Sequence, residues 1–481
     1  MTQRLYFFFA LALLFTTACS SSGGDDDDDE ADAKPIMEAG KLLIEHNATD
    51  EDTGFQAFAD GDAWDELVIS GPAGPIMRAR PDGSLSGFGL TEFFFETSEP
   101  ENAEVAIPKL LERLPEGTYT FTGKMVGGAE TSVTATLTHT IPAGPEFVSP
   151  EDDEQGVDPN ETTVTWQPVT ETYDGSSDVQ IVAYQVIVEK VLAVDPNPEG
   201  FAQPNFSVYL PASATSVKIP PEFMQDDTPY SCEVLAIEES GNQTLSSIHF
   251  STGSADEPPE NEPSGVLTSA KLLIEHNATD KDTGFQGFVD GDPWTHLTID
   301  PDAPIVDIDA LGSFDDFGVT ELFFETEEPA NEDVPIPQVL SRIPEGPHVY
   351  SGEMVGGGAS TVTATFTHKI PAGPLILTPA AGAKQVDPAT AVVEWQSVKT
   401  DINGASINIV GYEVIVEEEE ATPRFPQTFA QPVLDVHVPT NVTRLSIPEN
   451  FLEPGAPYTV EVLAIEESGN QTLSQRSFET K

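Results

Sequence analysis

Lys41–Gln56 reads KLLIEHNATDEDTGFQ, and Lys271–Gln286 reads KLLIEHNATDKDTGFQ. The two stretches differ only at Glu51 and Lys281. Glu233–Ser246 (EVLAIEESGNQTLS) recurs unchanged as Glu461–Ser474. Recurrences in the same order, at a spacing of about 229 residues, make the chain a tandem duplication. Ala255–Gly265 (ADEPPENEPSG) separates the copies, and its prolines and acids predict a semi-rigid linker without a core. Each copy divides again. TLTHTIPAGP (Thr136–Pro145) and TFTHKIPAGP (Thr365–Pro374) close a first module, and a second opens at Val148-Ser149-Pro150 and Leu377-Thr378-Pro379. The order is A–B–A′–B′, with A at 40–146, B at 147–254, a linker at 255–268, A′ at 269–374 and B′ at 375–481.

Strand patterns dominate all four units, so the expected fold class is all-β, four tandem β-sandwiches. In B, Val164 and Trp166 share a face, as do Tyr184, Val186 and Val188, and Tyr230, Cys232, Val234 and Ala236. B′ repeats this with Trp395, Tyr412, Tyr458, Val462, Ala464 and Gly469. An early Trp, a central Tyr and a late Tyr-led strand closing on Ser-Gly-Asn resemble a fibronectin type III domain. That resemblance implies a seven-stranded sandwich with Tyr230 and Tyr458 at the tyrosine corner. In A, Leu42, Ile44 and His46 lie on one strand face. Thr91–Glu96 (TEFFFE) is an apolar strand, and Pro108–Leu114 predicts one short helix with Pro in its first turn. The block NATDxDTGFQxFxDGDxW resembles uncharacterised modules that precede fibronectin type III domains in secreted bacterial proteins.

Among the 481 residues, 20 Lys and Arg stand against 82 Asp and Glu, a formal net charge of −62. Such a surface repels nucleic acid and anionic lipid headgroups. The two cysteines, Cys19 and Cys232, build no disulfide framework. At the N-terminus, Arg4 precedes the apolar run Leu5–Phe15, which is too short to span a bilayer. Thr17, Ala18 and Cys19 follow, then a polar tether, Ser20–Asp29. This resembles the signal peptide (1–18) and lipobox of bacterial lipoproteins, with Cys19 as the lipidated residue and 19–39 as tether. Ser20 rather than Asp after the Cys favours the outer membrane by the same resemblance.

Two metal readings arise. Asn47, Asp50, Asp52, Asp60 and Asp62 gather near Gly54 and Gly61, and Asn277, Asp280, Asp282, Asp290 and Asp292 repeat them. Oxygen ligands of this kind suit calcium, whereas Asp and Asn also favour turns with no ion at all. The register of a twelve-residue calcium loop fails, because Gly61 stands where its Glu belongs. His46 with His139, and His276 with His368, would suit zinc only if their strands were neighbours; a hydrogen-bonded core His is the other reading. No nucleophile, zincin or phosphate-loop motif occurs. The expectation is a non-enzymatic lipoprotein, anchored to the membrane through its lipid, presenting a rod of sandwiches for binding a protein or glycan. The alternative is a carbohydrate-binding or accessory protein of a secreted hydrolase system, for which exposed Trp64 and Trp294 would be the strongest sign. A purely structural spacer is the third reading.

Overall fold

The computed structural model describes residues 35–191, 205–254, 266–419 and 433–481. Cys19, most of the 19–39 tether and most of the inter-copy linker lie outside them, and β1 begins within the last tether residues. The described residues are almost entirely strand. Module A contains β1 (Met37–Asn47), β2 (Asp52–Gly71), β3 (Gly74–Pro81), β4 (Leu90–Thr97), helix α1 (Ile107–Leu111), β5 (Gly117–Met125) and β6 (Glu130–Leu137). Module B contains β7 (Phe147–Ser149), β8 (Glu154–Gln155), β9 (Thr163–Trp166), β10 (Ile181–Lys190), β11 (Asn205–Pro211), β12 (Ser216–Lys218), β13 (Pro229–Glu238) and β14 (Gln243–Ser251). Module A′ repeats the series as β15 (Leu267–Asn277), β16 (Asp282–Ile299), β17 (Val306–Ala310), β18 (Val319–Thr326), α2 (Ile336–Leu340), β19 (Gly346–Met354) and β20 (Ala359–Phe366). Module B′ follows as β21 (Leu375–Thr378), β22 (Ala383–Val386), β23 (Val392–Gln396), β24 (Ile409–Glu418), β25 (Val433–Pro439), β26 (Arg444–Ser446), β27 (Pro457–Glu466) and β28 (Gln471–Thr480).

The B modules are fibronectin type III-like. Strands β12, β9 and β7 form one sheet, and β11, β10, β13 and β14 form the other. Trp166 packs on Tyr184 in the core, as Trp395 does on Tyr412. Tyr230 Oη accepts from Gln225 N at 2.7 Å, and Tyr458 Oη accepts from Glu453 N at 2.8 Å. Both bonds reach back a few residues, as a tyrosine corner does. Cys232 is buried in the same core, a small hydrophobe.

In the A modules one long strand serves two sheets. The first half of β2 pairs with β1 and β4; after a register break between Asp60 and Trp64, the second half pairs with β3 and β5. A bulge of this kind turns a strand around a sandwich corner. Helix α1 carries Pro108 in its first turn and buries Ile107, Leu110 and Leu111.

The four modules do not line up as a rod. A and A′ lie side by side, and both of their sheets run through the seam. β4 pairs with β18 from Leu90–Thr326 to Thr97–Val319, and β3 pairs with β17 from Met77–Ala310 to Pro81–Val306. Their cores merge, because each module sends a loop into the other. Phe314 and Phe317, between β17 and β18, reach Phe55 with ring centroids 6.1 and 6.4 Å away, and Phe88, between β3 and β4, reaches Phe285 at 6.2 Å. Arg113 lies over Phe317, and Arg342 over Phe88, reciprocally. Gly83 and Gly312 sit where the chains cross, at positive φ. A Cβ on either would stand 2.6 Å from a carbonyl oxygen of the other module, Pro304 O or Pro75 O.

B and B′ also meet, through β11 and β25. Each A module in turn pairs with the B module of its own copy, β1 with β14 and β15 with β28, both in parallel. The pairings close a circuit: β1, β2, β4, β18, β16, β15, β28, β27, β24, β25, β11, β10, β13, β14 and back to β1. A rod would leave sheet edges open at every module; the circuit leaves no open edge along its strands.

Candidate functional site

Side chains alternate along a strand, so every strand of the circuit has an outer and an inner face. The outer faces supply the module cores: Leu42 and Ile44, Phe93 and Phe95, Val186 and Val188, Val460 and Val462. The inner faces are also buried or half-buried, and they are not apolar. β1 turns Lys41, Leu43 and Glu45 inward, and β4 turns Glu92, Phe94 and Glu96 inward. From the B side come Gln185, Ile187 and Glu189 of β10 and Glu233 and Leu235 of β13. The second copy presents Lys271, Glu275, Glu321, Glu325, Glu413, Glu417 and Glu461 in the same way. Small apolar clusters, such as Phe58, Phe94, Phe288 and Phe323, separate the acids.

Enclosure sets the electrostatics. Burial, reinforced by neighbouring carboxylates, pushes Glu45, Glu92, Glu275, Glu321, Glu325 and Glu461 well above the ordinary carboxylate range. Burial pushes Glu96, Glu189 and Glu417 up to about 8. It draws Lys41 down to about 8, against the pull of Asp60 and Glu92. Amides share the load: Gln56 Nε2 donates to Glu96 Oε2 at 2.8 Å, and Gln286 Nε2 donates to Glu325 Oε2 at 2.8 Å. Gln243 bridges from β14 to Glu45, and Gln471 from β28 to Glu275. The interior is therefore a layer of acids that burial and mutual repulsion hold protonated beyond the ordinary carboxylate range.

The expected calcium set is split by the strand that carries it. Asn47, Asp50 and Asp52 sit at the β1–β2 turn, where Asn47 Oδ1 accepts from Thr49 N at 2.9 Å and Asp50 N at 3.0 Å. Asn277 does the same for Thr279 and Asp280. This is Asx-turn chemistry. Asp60 lies eight residues along β2, about 26 Å of extended chain from Asp52. Asp62 follows it and accepts from Ile36 N at 2.8 Å. Asp290 and Asp292 stand at the same distance along β16 from Asp282. One ion cannot reach both groups, and no single constellation unites the five residues of either copy.

The histidine pairs are likewise apart. His46 Nδ1 lies 2.8 Å from Asp52 O, and His276 Nδ1 lies 2.8 Å from Asp282 O. His139 Nε2 and His368 Nε2 lie 2.8 Å from Leu114 O and Ile343 O. Each ring serves a backbone carbonyl rather than its expected partner. Trp64, Trp294, Trp166 and Trp395 are all core residues, at most 2 % exposed. Two groups that sequence reading missed do come together. His296, Asp307 and Asp309 meet on the A–A′ seam, and Glu413, Asp435 and His437 meet on the inner face of B′. Alternation on strands read as one-sided concealed the second group.

No family model matches the sequence, and no curated protein does. Solved structures are similar at low scores. The FN1–FN3 domains of chicken CNTN1 align at 10% identity over 71% of this chain and 99% of that one, with a TM-score of 0.20. A tetra-tandem repeat from the extending region of a large adhesion protein aligns at 11% over 92% and 100%, with a TM-score of 0.16. A structure from a 1.5-MDa bacterial ice-binding adhesin aligns at 12% over 71% and 99%, with a TM-score of 0.16. Similarity this slight fixes neither the arrangement of the modules nor an activity; the all-β, fibronectin type III-like reading rests on the hydrogen bonds described above.

Proposed function

We propose that the chain is a non-enzymatic lipoprotein of the cell envelope, held at the outer membrane through Cys19, whose ring-closed body is displayed for binding or adhesion. The observation that carries this is the closed circuit of strands. It makes four modules one block, a form suited to meeting a partner with its outer loops. Burial of all four tryptophans removes the aromatic platform on which the carbohydrate-binding alternative depended. The acidic exterior favours a partner of opposite charge and disfavours nucleic acid.

Fractionation of cells expressing the chain with and without Cys19→Ala tests the anchor. The wild type should follow the outer membrane and the variant should be soluble. Protease treatment of intact cells then tests display. A wild type already soluble, or a body protected in intact cells, would contradict the reading.

A further inference from the structure

The inner face of the B–B′ seam brings an imidazole and two carboxylates together. Glu413 stands directly opposite His437 in the β24–β25 pairing, and Asp435 opposite Ile415. Across the seam, the register of Phe206 with Val436 brings Asn205 beside His437. His437 Nδ1 lies 2.8 Å from Asn205 Oδ1 and 3.9 Å from Asp435 Oδ1, and Nε2 lies 3.5 Å from Glu413 Oε2. One donor atom from each of Glu413, Asp435 and His437 falls within 4.8 Å of the others. Asp435 is 1% exposed, no N–H or hydroxyl among the described residues reaches its Oδ1, and its side-chain hydrogen bond is shared with the Glu413 carboxyl. Two acids so enclosed and paired only through a shared proton are costly when ionised unless something positive meets them.

We propose that this seam binds one first-row divalent metal ion of the zinc class, through His437, Asp435 and Glu413, with Asn205 Oδ1 orienting the ring from Nδ1. A tetrahedral shell with bonds of 2.0–2.1 Å sets its donors about 3.3 Å apart, so donors now within 4.8 Å of one another close by movements of about 1.5 Å. One imidazole with two carboxylates suits zinc better than calcium, which wants six to eight oxygens. The ion would tie β24 to β25, and Asn205 of β11, bonded to His437 Nδ1, would carry the constraint across a seam of three residue pairs.

The duplication supplies an internal control. Gln185 faces Tyr209 in the β10–β11 pairing as Glu413 faces His437, and Ser207 occupies the position of Asp435. There Gln185 Nε2 donates to Ser207 Oγ at 3.0 Å, a neutral pair content with itself. The same backbone therefore carries ligand chemistry in one copy only. The other cluster, His296 with Asp307 and Asp309, does not compete. Arg80 and Arg78 already meet its two Asp carboxylates at 2.8 and 2.5 Å.

The test uses the full chain purified in detergent, stripped with chelator and titrated with Zn²⁺ alone by calorimetry, with Ca²⁺ as a second arm. The control variant is Glu413→Gln, Asp435→Ser, His437→Tyr, which copies the residues the first half already folds with. The wild type should bind one Zn²⁺ per chain and ignore Ca²⁺ at the same concentration. The triple variant should lose more affinity than the about 10–100-fold that an outer-shell change costs. His296→Ala should leave binding intact, and all chains should melt alike in chelator. Equal Zn²⁺ binding by wild type and triple variant, or none by the wild type, would overturn the proposal, as would binding lost in His296→Ala. If the triple variant melts early in chelator, His437→Gln and Asp435→Asn tested singly decide by the same criterion.

Discussion

The two seams between the copies are built differently. The A–A′ seam has two continuous sheets, merged cores and reciprocal aromatic plugs. The B–B′ seam has a short pairing at Phe206–Val436, Ser207–Asp435 and Val208–Leu434, flanked by polar side chains. Both seams join apolar cores, but only the A–A′ seam adds long backbone pairings and interlocked loops. The divergence of the copies follows that division. Arg78 sits opposite Val68 within A, and Asp307 sits opposite Thr298, the matching position of A′. Arg80 and Asp309 match in the same way. Across the seam Arg78 meets Asp309 and Arg80 meets Asp307. The A module has become basic where A′ has become acidic, so that A prefers A′ to a second A. Complementary charge of this kind selects partners more than it adds affinity.

The largest effect should come from the plugs. Phe314→Ala removes a fully buried ring that touches Phe55 and Phe95 of the other module, and should cost about 3–5 kcal/mol in denaturant unfolding. Trp166→Ala, in the core of B, should cost a similar amount. If the two melt as separate transitions, the seam does not couple the modules. A loss under about 1 kcal/mol for Phe314→Ala would show that the plug is not seated.

A pH effect of opposite sign to ordinary acid denaturation comes next. Carboxyls such as Glu96, Glu189 and Glu417, near 8 when folded, sit far above their unfolded range. The folded state then binds more protons than the unfolded one between about pH 4.5 and 8, so stability falls as pH rises through that window. The melting temperature should be higher at pH 5.5 than at 8.5 at fixed ionic strength. A flat or rising profile would mean that the inner acids are solvated.

Charge reversal should act less. The Arg78–Asp309 pair is partly exposed, so Arg78→Ala should cost no more than about 1 kcal/mol. Arg78→Asp with Arg80→Asp should cost more, and adding Asp307→Arg with Asp309→Arg should restore the loss. Absence of restoration would remove the charge argument from the seam. The smallest effect is expected of calcium. At equal ionic strength it should raise the melting temperature no more than magnesium does, in the wild type and in Asp50→Asn with Asp52→Asn. A calcium-specific rise lost in that variant would return an ion to the turn.

The B modules were legible because their core residues are spaced along single strands: Trp166, Tyr184 and Tyr230 point to one sandwich whatever surrounds it. The short helix after Ala106 was legible from Pro108. The ring was not, because pairing between non-consecutive edges leaves no local pattern. Lys41, Leu43 and Glu45 read as the solvent face of β1, and only the second sheet facing them makes that face an interior. Phe94, between Glu92 and Glu96, was the visible sign, an aromatic on the face that alternation assigns to water. The calcium set looks compact in sequence because Asn47 to Asp62 spans only sixteen positions, whereas β2 draws Asp52 and Asp60 apart along a strand. His437 was missed because its partners, Glu413 and Asn205, meet it only across strands.

Small-angle X-ray scattering of residues 35–481 tests the closed ring most directly. A compact body of that length has a radius of gyration of about 22 Å, whereas four domains of about 34 Å set in file give about 40 Å. The account predicts a value under about 27 Å. A value near 40 Å would show the modules strung out along the chain and the ring open.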